Sequence, residues 1–283
     1  MRLKDLDCPQ CKRKMDNKST KGVKPATATF FGDCLRMCKP CGIGYSNAQE
    51  DPTLIYACPF ENIPEEVRDH VDKVIKKSLN VTNRDNKKRR IGYNSSEDAL
   101  TWTVFRYFQL TGQIDKIMEA LSQDKSKGNT HVYYWGVPID VNGTIDEPKS
   151  EKLVKVLTGI GENSQSYSEP DVILEDDEKI IFVEVKFGSE NNREKQGIKW
   201  TKYKREEYFE KDFSSFEELK EYQLVRNWTI GNLLAAEKNK RFILSNLIFD
   251  EKSSKDTEVF QSAIRETERS TFSLSYWGSI IDD

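Results

Sequence analysis

Residues 169–187 read EPDVILEDDEKIIFVEVKF and are the most informative part of the sequence. Its two apolar runs are separated by the five polar residues Glu175–Lys179, a pattern that predicts a β-hairpin. Side chains alternate between the two faces of a strand, so Phe182, Glu184 and Lys186 share one face of the second strand. The opposite face is wholly apolar, and we expect it to pack into a core.

Glu184 and Lys186 place two charges on an otherwise hydrophobic strand. Burying them costs free energy unless they pair with each other or coordinate something. Asp171 stands at the start of the first strand, where the neighbouring strand can bring its carboxylate beside Glu184. Two carboxylates can hold Mg2+ or Mn2+ in a shell of oxygen atoms, and a lysine can orient water or offset the charge on a phosphoryl group. The pattern therefore favours metal-assisted hydrolysis of a phosphodiester.

These residues also match the motif of a known family. Pro170-Asp171, followed thirteen residues on by Glu184-Val185-Lys186, resembles the PD-(D/E)XK nuclease superfamily of restriction endonucleases, Holliday-junction resolvases and repair exonucleases. The resemblance covers residues 95–250 and implies an α/β fold with a restriction-endonuclease-like central mixed sheet flanked by helices. It also implies that the ligands of Mg2+ or Mn2+ are Asp171 and Glu184 and that the catalytic lysine is Lys186.

Two further residues resemble elements of that superfamily. Its members often carry an additional acidic residue on the helix before the hairpin, which here looks like Glu97, with Asp98 as the fallback. The alternative for Glu97 is a capping box, because Asn94-x-x-Glu97 has that spacing and acids in a first turn favour the helix dipole. Some exonuclease-like branches place a glutamine on the helix after the lysine, and Gln223 is similar but lacks the usual Gln-x-x-x-Tyr spacing. A polar helix face is an equally good interpretation of Gln223.

All six cysteines fall within the first 58 residues. Two Cys-x2-Cys pairs, 26 residues apart, suit tetrahedral thiolate coordination of a structural zinc ion in a compartment where disulfides are disfavoured. The sequence therefore predicts a zinc ribbon over residues 1–60, with Zn2+ bound by Cys8, Cys11, Cys38 and Cys41. Cys34 is the main alternative ligand, because Cys34-x3-Cys38 is also a workable spacing, and Cys58 is the next. If they do not bind zinc, we expect Cys34 and Cys58 to be buried small apolar residues.

The composition excludes several classes of protein. Of the 283 residues, 36% are hydrophobic and 32% are charged, and no window approaches the roughly 18 consecutive apolar residues that a membrane span needs. The first residues lack the apolar segment of a signal peptide, so we expect a cytoplasmic protein. The chain has two histidines and no P-loop motif, which argues against histidine-metal nucleases, Ser/His/Asp hydrolases and a P-loop nucleotide site.

Charge is distributed unevenly along the chain. The net charge of −3 argues against a uniformly basic nucleic-acid binder, yet residues 1–40 hold ten Lys or Arg against four Asp. Further basic clusters lie at 84–90 and 193–205. A phosphodiester hydrolase needs basic clusters near acidic ones, because it must attract phosphate while carboxylates hold the metal. For each cluster, a solvated helix face or loop is an equally good interpretation.

The rest of the sequence predicts alternating helices and strands in a second, nuclease-like domain, residues 61–283. Asn94, Ser95 and Ser96 are candidate N-caps of the clearest helix. The expected helices are 63–75, 96–111, 115–123, 214–237 and 257–269, with a mixed helical region at 194–210, and the further strands are 131–137 and 242–249.

Together these features favour a Mg2+-dependent DNA endonuclease whose basic zinc ribbon contacts DNA. The common uses of the superfamily imply restriction or anti-phage defence, with partner proteins of a defence system. Cleavage within a duplex usually needs two active sites, so we expect a homodimer. One alternative is a zinc-ribbon module that binds nucleic acid or protein on an inactive nuclease scaffold. Another is the same chemistry directed at RNA or branched DNA.

Overall fold

In the computed structural model of the chain, the described residues are 3–18, 26–187, 200–203, 205–210, 222–249 and 255–281. Contacts within the chain divide it into two compact units. The first unit contains Met1–Val71 and Asp85–Thr103, and the second contains Asp72–Arg84 and Val104–Asp283. The predicted division into a zinc ribbon (1–60) and a nuclease-like domain (61–283) stays a prediction.

The first unit contains a small antiparallel sheet. Its strands, in both chain and sheet order, are β1 (Asp16–Asn17), β2 (Arg36–Cys38), β3 (Ile43–Tyr45) and β4 (Leu54–Tyr56). Arg36 stabilises this sheet, because its buried guanidinium donates hydrogen bonds of 2.6 Å to the backbone carbonyls of Ser46 and Ala48. Charge-assisted hydrogen bonds of this kind supplement the small apolar core of so short a sheet.

The second unit is built on a mixed six-stranded sheet. Its strands are β5 (His131–Tyr134), β6 (Val137–Ile139), β7 (Val172–Glu175), β8 (Lys179–Val185), β9 (Arg241–Ile248) and β10 (Ser270–Tyr276). They lie in the order β10-β9-β8-β7-β5-β6, in which β8, β9 and β10 are parallel and the other neighbours pair antiparallel.

Helices flank this sheet, so the α/β prediction is confirmed at the level of a mixed sheet with helices around it. Within the described residues no helix combines the length and hydropathy that a membrane crossing requires. Short 3-10 helices span Phe31–Asp33, Pro59–Asn62, Val81–Asn83, Trp200–Tyr203 and Glu206–Tyr208. The α-helices are α1 (Glu65–Arg68), α2 (Val71–Lys77), α3 (Arg84–Arg90), α4 (Glu97–Leu110), α5 (Ile114–Ser122), α6 (Glu147–Gly159), α7 (Tyr222–Lys238), α8 (Lys255–Gln261) and α9 (Gly278–Ile281).

Helix α7 packs on β8 and β9, where aromatic rings form the centre of a core. The ring centroid of Phe242 lies 5.3 Å from that of Phe182 and 5.6 Å from that of Trp228. Gly231 permits this approach, because a Cβ atom at that position would lie 1.9 Å from the Phe242 ring. Every residue of β8 is buried. The face of β8 that carries Phe182 therefore enters a core, as does its wholly apolar face.

The predicted hairpin is confirmed as the antiparallel pair of β7 and β8. Its turn is shorter than predicted, because it contains Asp176–Glu178 only. Val172 of β7 pairs with Val183 of β8. This register places Asp171, just before β7, opposite Glu184.

Two predictions in the first half of the chain need correction. The segment 131–137 is not one strand but the hairpin β5–β6, which turns at Trp135 and Gly136 with φ angles of 51° and 80°. Two consecutive positive φ angles are typical of the turn that suits the twist of a two-residue hairpin. The helix predicted over 63–75 is interrupted at His70, whose φ of 71° separates α1 from α2.

The C-terminal helix prediction is also too long. The helix predicted over 257–269 ends at Gln261 as α8, and the edge strand β10 follows it. Thr267 forms the intervening turn, because its hydroxyl oxygen accepts hydrogen bonds from the backbone nitrogens of Arg269 and Ser270. The sequence predicted neither β10 nor α6.

The remaining element predictions agree with the structure where it describes the chain. The helices at 96–111 and 115–123 are confirmed as α4 and α5, and the strand at 242–249 is confirmed as β9. The mixed helical region at 194–210 and the helix at 214–237 lie partly outside the described residues.

Candidate functional site

The predicted acids and lysine meet at the end of the β7–β8 hairpin opposite its turn, here called the open end. Glu184 Oε1 accepts a hydrogen bond of 2.5 Å from Lys186 Nζ, and this ion pair is buried. Lys186 Nζ also donates to the backbone carbonyl of Val185 at 3.2 Å. Asp171 is half-buried, and its Oδ2 atom accepts a hydrogen bond of 2.9 Å from the backbone nitrogen of Val185. Both carboxylates and the ammonium group therefore lie around the same stretch of backbone.

Helix α7 supplies a further contact to Glu184. Asn227 Nδ2 donates a hydrogen bond of 2.8 Å to Glu184 Oε2, and Arg226 Nε donates one of 3.1 Å to Asn227 Oδ1. Gln223, the predicted helix residue, is half-buried and lies one turn earlier on α7. The sequence assigned no role to Asn227. The signal that could have found it is the four-residue spacing from Gln223, which puts both side chains on the same side of a helix.

Arg226 adds a buried cation to the open end. Its guanidinium carbon lies 5.6 Å from the centre of the Tyr222 ring. Burial lowers the pKa of Arg226, but the negative charge of Glu184 and of other neighbouring acidic groups outweighs burial, so the pKa is raised above its ordinary value. Arg226 therefore stays charged and offsets part of the negative charge around Glu184.

A buried hydrogen-bond network continues from Tyr222 to Glu162. The hydroxyl groups of Tyr222 and Tyr203 are 3.2 Å apart, and the Tyr203 hydroxyl donates to Glu162 Oε1 at 2.6 Å. Ser168 contributes its backbone nitrogen at 2.6 Å and its hydroxyl at 2.7 Å to the two oxygens of Glu162. Burial raises the pKa of Tyr203, which keeps this tyrosine a neutral donor. A network of this kind fixes its members in one arrangement.

The donors at the open end suit a hard divalent cation. Carboxylate oxygens are the ligands that Mg2+ and Mn2+ prefer, and each can accept more than one contact. The carboxylates at the open end are those of Asp171 and Glu184, and they lie with two cationic side chains, Lys186 and Arg226. The residues present therefore fit a divalent cation held by Asp171 and Glu184.

Glu97 begins helix α4, and the structure identifies the N-cap of that helix. The cap is Ser96, whose hydroxyl oxygen accepts a hydrogen bond of 3.2 Å from the backbone nitrogen of Ala99. The side chain of Asn94 accepts a hydrogen bond from the backbone nitrogen of Leu54 and so serves a different contact. Glu97 belongs to the first unit and the hairpin to the second. Its place in the site stays a prediction.

The basic segment 84–90 forms helix α3, and part of its charge is internal. Lys87 is buried and pairs with Asp98 at 3.2 Å, which makes Asp98 part of a structural ion pair. The guanidinium carbon of Arg89 lies 5.1 Å from the ring centre of Phe30, a ring that is 55% exposed. The basic cluster at 193–205 lies largely outside the described residues.

The first unit holds a four-cysteine cluster with the predicted members. Their sulfur atoms all lie within 4.8 Å of one another, and in the described part of the chain no other group of three or more Cys, His, Asp or Glu ligands meets this spacing. Two turns present the thiols, one closed by a hydrogen bond of 2.9 Å from the backbone nitrogen of Lys12 and the other containing Gly42 at a φ of 63°. The cluster can bind a metal such as zinc. Its members are Cys8, Cys11, Cys38 and Cys41.

Arg13 favours the thiolate form at this cluster. Its Nε atom lies 3.5 Å from the sulfur of Cys11, and this hydrogen bond is the main cause that lowers the pKa of Cys11 to about 6. The thiolate is the form that binds metal. Hydrogen bonding to Cys11 raises the pKa of Cys41 to about 12. Four thiols this close cannot all ionise unless a cation offsets their charge.

Cys34 and Cys58 lie outside the cluster. Cys34 is buried against Met37 and Ile55, and burial raises the pKa of its thiol to about 11. Cys38, and not Cys34, therefore completes the four-cysteine cluster. Cys58 is exposed, so the prediction that it is a buried apolar residue is wrong.

Comparison with known proteins finds no match: no family model, curated protein or solved structure is similar to this chain. The resemblance of Asp171, Glu184 and Lys186 to a nuclease motif therefore depends on those residues alone. The functional interpretation rests on the geometry of the open end and on the four-cysteine cluster.

Proposed function

We propose that the second unit is a metal-dependent endonuclease that hydrolyses phosphodiester bonds in DNA at Asp171, Glu184 and Lys186. The single observation that carries this proposal is the buried ion pair of Glu184 and Lys186 on an otherwise apolar strand. The carboxylate of Asp171 accepts a hydrogen bond from the backbone nitrogen of Val185, which lies between them. Such a group is costly to bury, and catalysis is a reason to keep it.

The order of elements supports the finer proposal of a restriction-endonuclease-like fold. The hairpin β7–β8 is followed by helix α7, and then by β9, which lies parallel to β8. Asp171 directly precedes the first strand of the hairpin, Glu184 lies on the second, and α7 brings Asn227 to the carboxylate of Glu184. This order of elements supports the proposed resemblance.

The chain's own residues would divide the work as follows. Asp171 and Glu184 would hold Mg2+ or Mn2+, which supplies Lewis acidity that activates water and offsets negative charge on the phosphate. Asn227 fixes one oxygen of Glu184, and the peptide nitrogen of Val185 fixes one oxygen of Asp171. The ammonium group of Lys186 would offset charge on the phosphoryl oxygens.

The four-cysteine cluster supports a structural zinc ion as the second part of the proposal. The closed set of four thiols leaves no open ligand position, which is typical of structural sites. We expect about one zinc per chain by elemental analysis. Cys38→Ser should lose the metal, whereas the neighbouring buried cysteine provides a matched control, since Cys34→Ser should retain it. Equal zinc content in the two variants would contradict this assignment.

A nuclease assay tests the catalytic part. The zinc-loaded chain is incubated with supercoiled plasmid, linear duplex, single-stranded DNA or RNA, with Mg2+, Mn2+ or EDTA. We expect metal-dependent nicking of the plasmid, and we expect Lys186→Ala and Asp171→Ala to abolish it. A matched control is Lys240→Ala, which removes a half-buried lysine near the turn end of the hairpin and should leave nicking intact. Cleavage by Lys186→Ala at the rate of the unmodified protein would show that the site is misassigned.

One observation favours a second candidate, a nuclease-like scaffold that binds nucleic acid without cutting it. Glu184 is 0% and Lys186 3% exposed, whereas a catalytic group must reach its substrate. The same assay separates the two candidates, because a scaffold would shift DNA in a gel without nicking it under any metal condition. RNA or branched DNA as the substrate, a homodimer, cytoplasmic location and a role in restriction or defence stay predictions.

A further inference from the structure

Asn246 on strand β9 carries an unusual atom. The residue is 0% exposed, and its Oδ1 atom has no hydrogen-bond partner among the described residues. Its Nδ2 atom makes one long hydrogen bond of 3.4 Å to the hydroxyl of Thr257 on α8. A buried amide oxygen without a partner lowers the stability of the folded state, so its presence calls for a reason.

The position of Asn246 supplies that reason. Strands β8 and β9 are parallel, and Asn246 is the register partner of Glu184. Paired residues on adjacent strands project to the same face of a sheet, and the strands are about 4.8 Å apart. Phe242 and Leu244, at alternate positions before Asn246, lie in the core that α7 covers, which is the side from which Asn227 reaches Glu184. Asn246 therefore lies beside Glu184 on the same face.

Other buried asparagines of the second unit show that an unpartnered oxygen is not the rule there. Asn227 Oδ1 accepts a hydrogen bond from Arg226, and Asn232 Oδ1 accepts one from the hydroxyl of Ser270. Asn246 differs from both because its oxygen has no partner and its nitrogen makes only the long contact to Thr257. It is also the register partner of Glu184, one of the two candidate cation ligands.

We propose that Oδ1 of Asn246 is a third oxygen ligand of the divalent cation held by Asp171 and Glu184. This inference rests on the function proposed above. Amide carbonyl oxygens are ordinary ligands of hard divalent cations alongside carboxylates. Cation binding would satisfy the buried oxygen and repay the stability that it costs in the metal-free chain.

Titration with Mn2+ tests the proposal on the zinc-loaded full chain, by isothermal calorimetry and by the rise of the melting temperature with Mn2+. Asn246→Leu removes the oxygen at similar volume and should weaken Mn2+ binding about tenfold or more. Without Mn2+, its melting temperature should be equal to or higher than that of the unmodified chain, because an unsatisfied polar group has gone.

Two further variants keep the outcome decisive. Asn246→Asp retains an oxygen at the site and adds charge, so it should bind Mn2+ at least as tightly as the unmodified chain. Asn232→Leu removes a buried amide whose hydrogen bonds are satisfied, so it should lower the melting temperature without changing Mn2+ affinity. If Asn246→Leu does not fold, weaker binding by Asn246→Asp would overturn the proposal on its own.

The failure of this inference is distinguishable from the failure of the proposed function. If the unmodified chain binds Mn2+, Asp171→Asn abolishes binding and Asn246→Leu binds normally, only the role of Asn246 is overturned. If Asp171→Asn leaves Mn2+ binding unchanged, or the unmodified chain binds none, the cation site itself is overturned and the role of Asn246 with it.

Discussion

The β7–β8 hairpin buries a carboxylate at each end, and the two ends satisfy it differently. Glu175 at the turn end receives hydrogen bonds from two lysines and a tyrosine, whereas Glu184 at the open end receives them from one lysine and one asparagine. Both are less than a tenth exposed. Because both carboxylates are buried, the two ends differ mainly in the groups that donate hydrogen bonds to them.

The turn end is complete in itself. Lys238 Nζ and Lys240 Nζ lie 2.6 and 2.8 Å from the two oxygens of Glu175. Asp176 is also buried, and it pairs with Lys179 at 3.2 Å. Among these described side chains, three lysines stand against two carboxylates. A divalent cation would not be stabilised there, because positive charge is already in excess among these side chains.

At the open end two carboxylates, Asp171 and Glu184, lie with two cations, Lys186 and Arg226, and the amide oxygen of Asn246 lacks a partner among the described residues. One sheet thus buries two charge clusters that differ in how completely their polar atoms are hydrogen-bonded. Buried charge alone therefore does not identify a functional site. Under the proposed function, the unsatisfied oxygen at the open end is what a further cation would bind.

The largest expected effect is the loss of the turn-end carboxylate. Glu175→Gln leaves the half-buried Lys238 and Lys240 without their carboxylate partner, which should lower the free energy of unfolding by about 3 kcal/mol. Glu184→Gln leaves the Asp171 carboxylate at the open end, so it should cost less, about 1 kcal/mol. Urea denaturation of both variants without Mg2+ or Mn2+ measures the difference. An equal or larger loss for Glu184→Gln would contradict the difference described for the two ends.

A smaller effect is expected when the neutral donor at each end is removed. Asn227→Leu takes away one of two donors to Glu184 and leaves Arg226 Nε without its acceptor, so it should cost about 2 kcal/mol. Tyr133→Phe takes away one of three donors to Glu175, and should cost about 1 kcal/mol. Thermal and urea unfolding of this pair give the comparison. If Tyr133→Phe proved the more damaging, the turn end would not be the better satisfied of the two.

A third prediction concerns acid. Burial would raise the pKa of Glu175, but hydrogen bonds from Lys238 and Lys240 outweigh it and hold the pKa below the usual 4.5. A carboxyl group with a depressed folded-state pKa contributes stability that is fully present above its unfolded pKa and is lost as the pH falls through the folded value. The stability gap between the unmodified chain and Glu175→Gln should therefore be constant above about pH 5 and shrink below about pH 4.5. Urea midpoints measured from pH 7 to pH 3 test this.

Asp176 provides the internal control for that experiment. Burial opposes but does not overcome the hydrogen bonds from the backbone nitrogens of Lys127, Glu178 and Lys179, so the pKa of Asp176 is also lowered from its usual 3.8. The Glu175→Gln variant retains Asp176, so its own free energy of unfolding should still fall at lower pH, as that of the unmodified chain does. A gap that widened as the pH fell would contradict the hydrogen-bond assignment at Glu175.

Local patterns explain which parts of this comparison could be predicted from the sequence. The two apolar runs of residues 169–187 predicted the hairpin, and alternation along the second strand predicted the proximity of Glu184 and Lys186, because alternate positions of a strand share one face. The spacing of the cysteines predicted the four-cysteine cluster, because two Cys-x2-Cys pairs suit tetrahedral coordination of one ion. The edge strand β10 was missed because its alternation is carried largely by serines, which weakens the contrast between apolar and polar faces.

Non-local register explains what could not be predicted. Asn227 and Asn246 follow Glu184 by 43 and 62 residues, and both reach its neighbourhood only through the packing of α7 and the parallel register of β9. The four-residue spacing from Gln223 indicates the helix face of Asn227, but no spacing in the sequence predicts that either residue lies near Glu184. The same holds for Lys238 and Lys240 at the turn end, which look like surface lysines at the end of a helix until the fold brings them to Glu175.

The smallest effect is expected for an exposed ion pair near the turn end, which tests whether burial or mere position in the hairpin makes a contact stabilising. Arg241 begins β9 opposite Lys179, at the turn end, and its Nη1 atom lies 3.2 Å from Asp124 Oδ2, but the two side chains are 43% and 47% exposed. Solvent screens such a pair, so Arg241→Ala should change the free energy of unfolding by no more than about 0.5 kcal/mol, and less still in high salt. A double-mutant cycle with Asp124→Ala isolates the pair from other effects of the truncation. If this exposed pair proved worth as much as the buried contacts of Glu175, then position in the hairpin, and not desolvation, would govern the turn end.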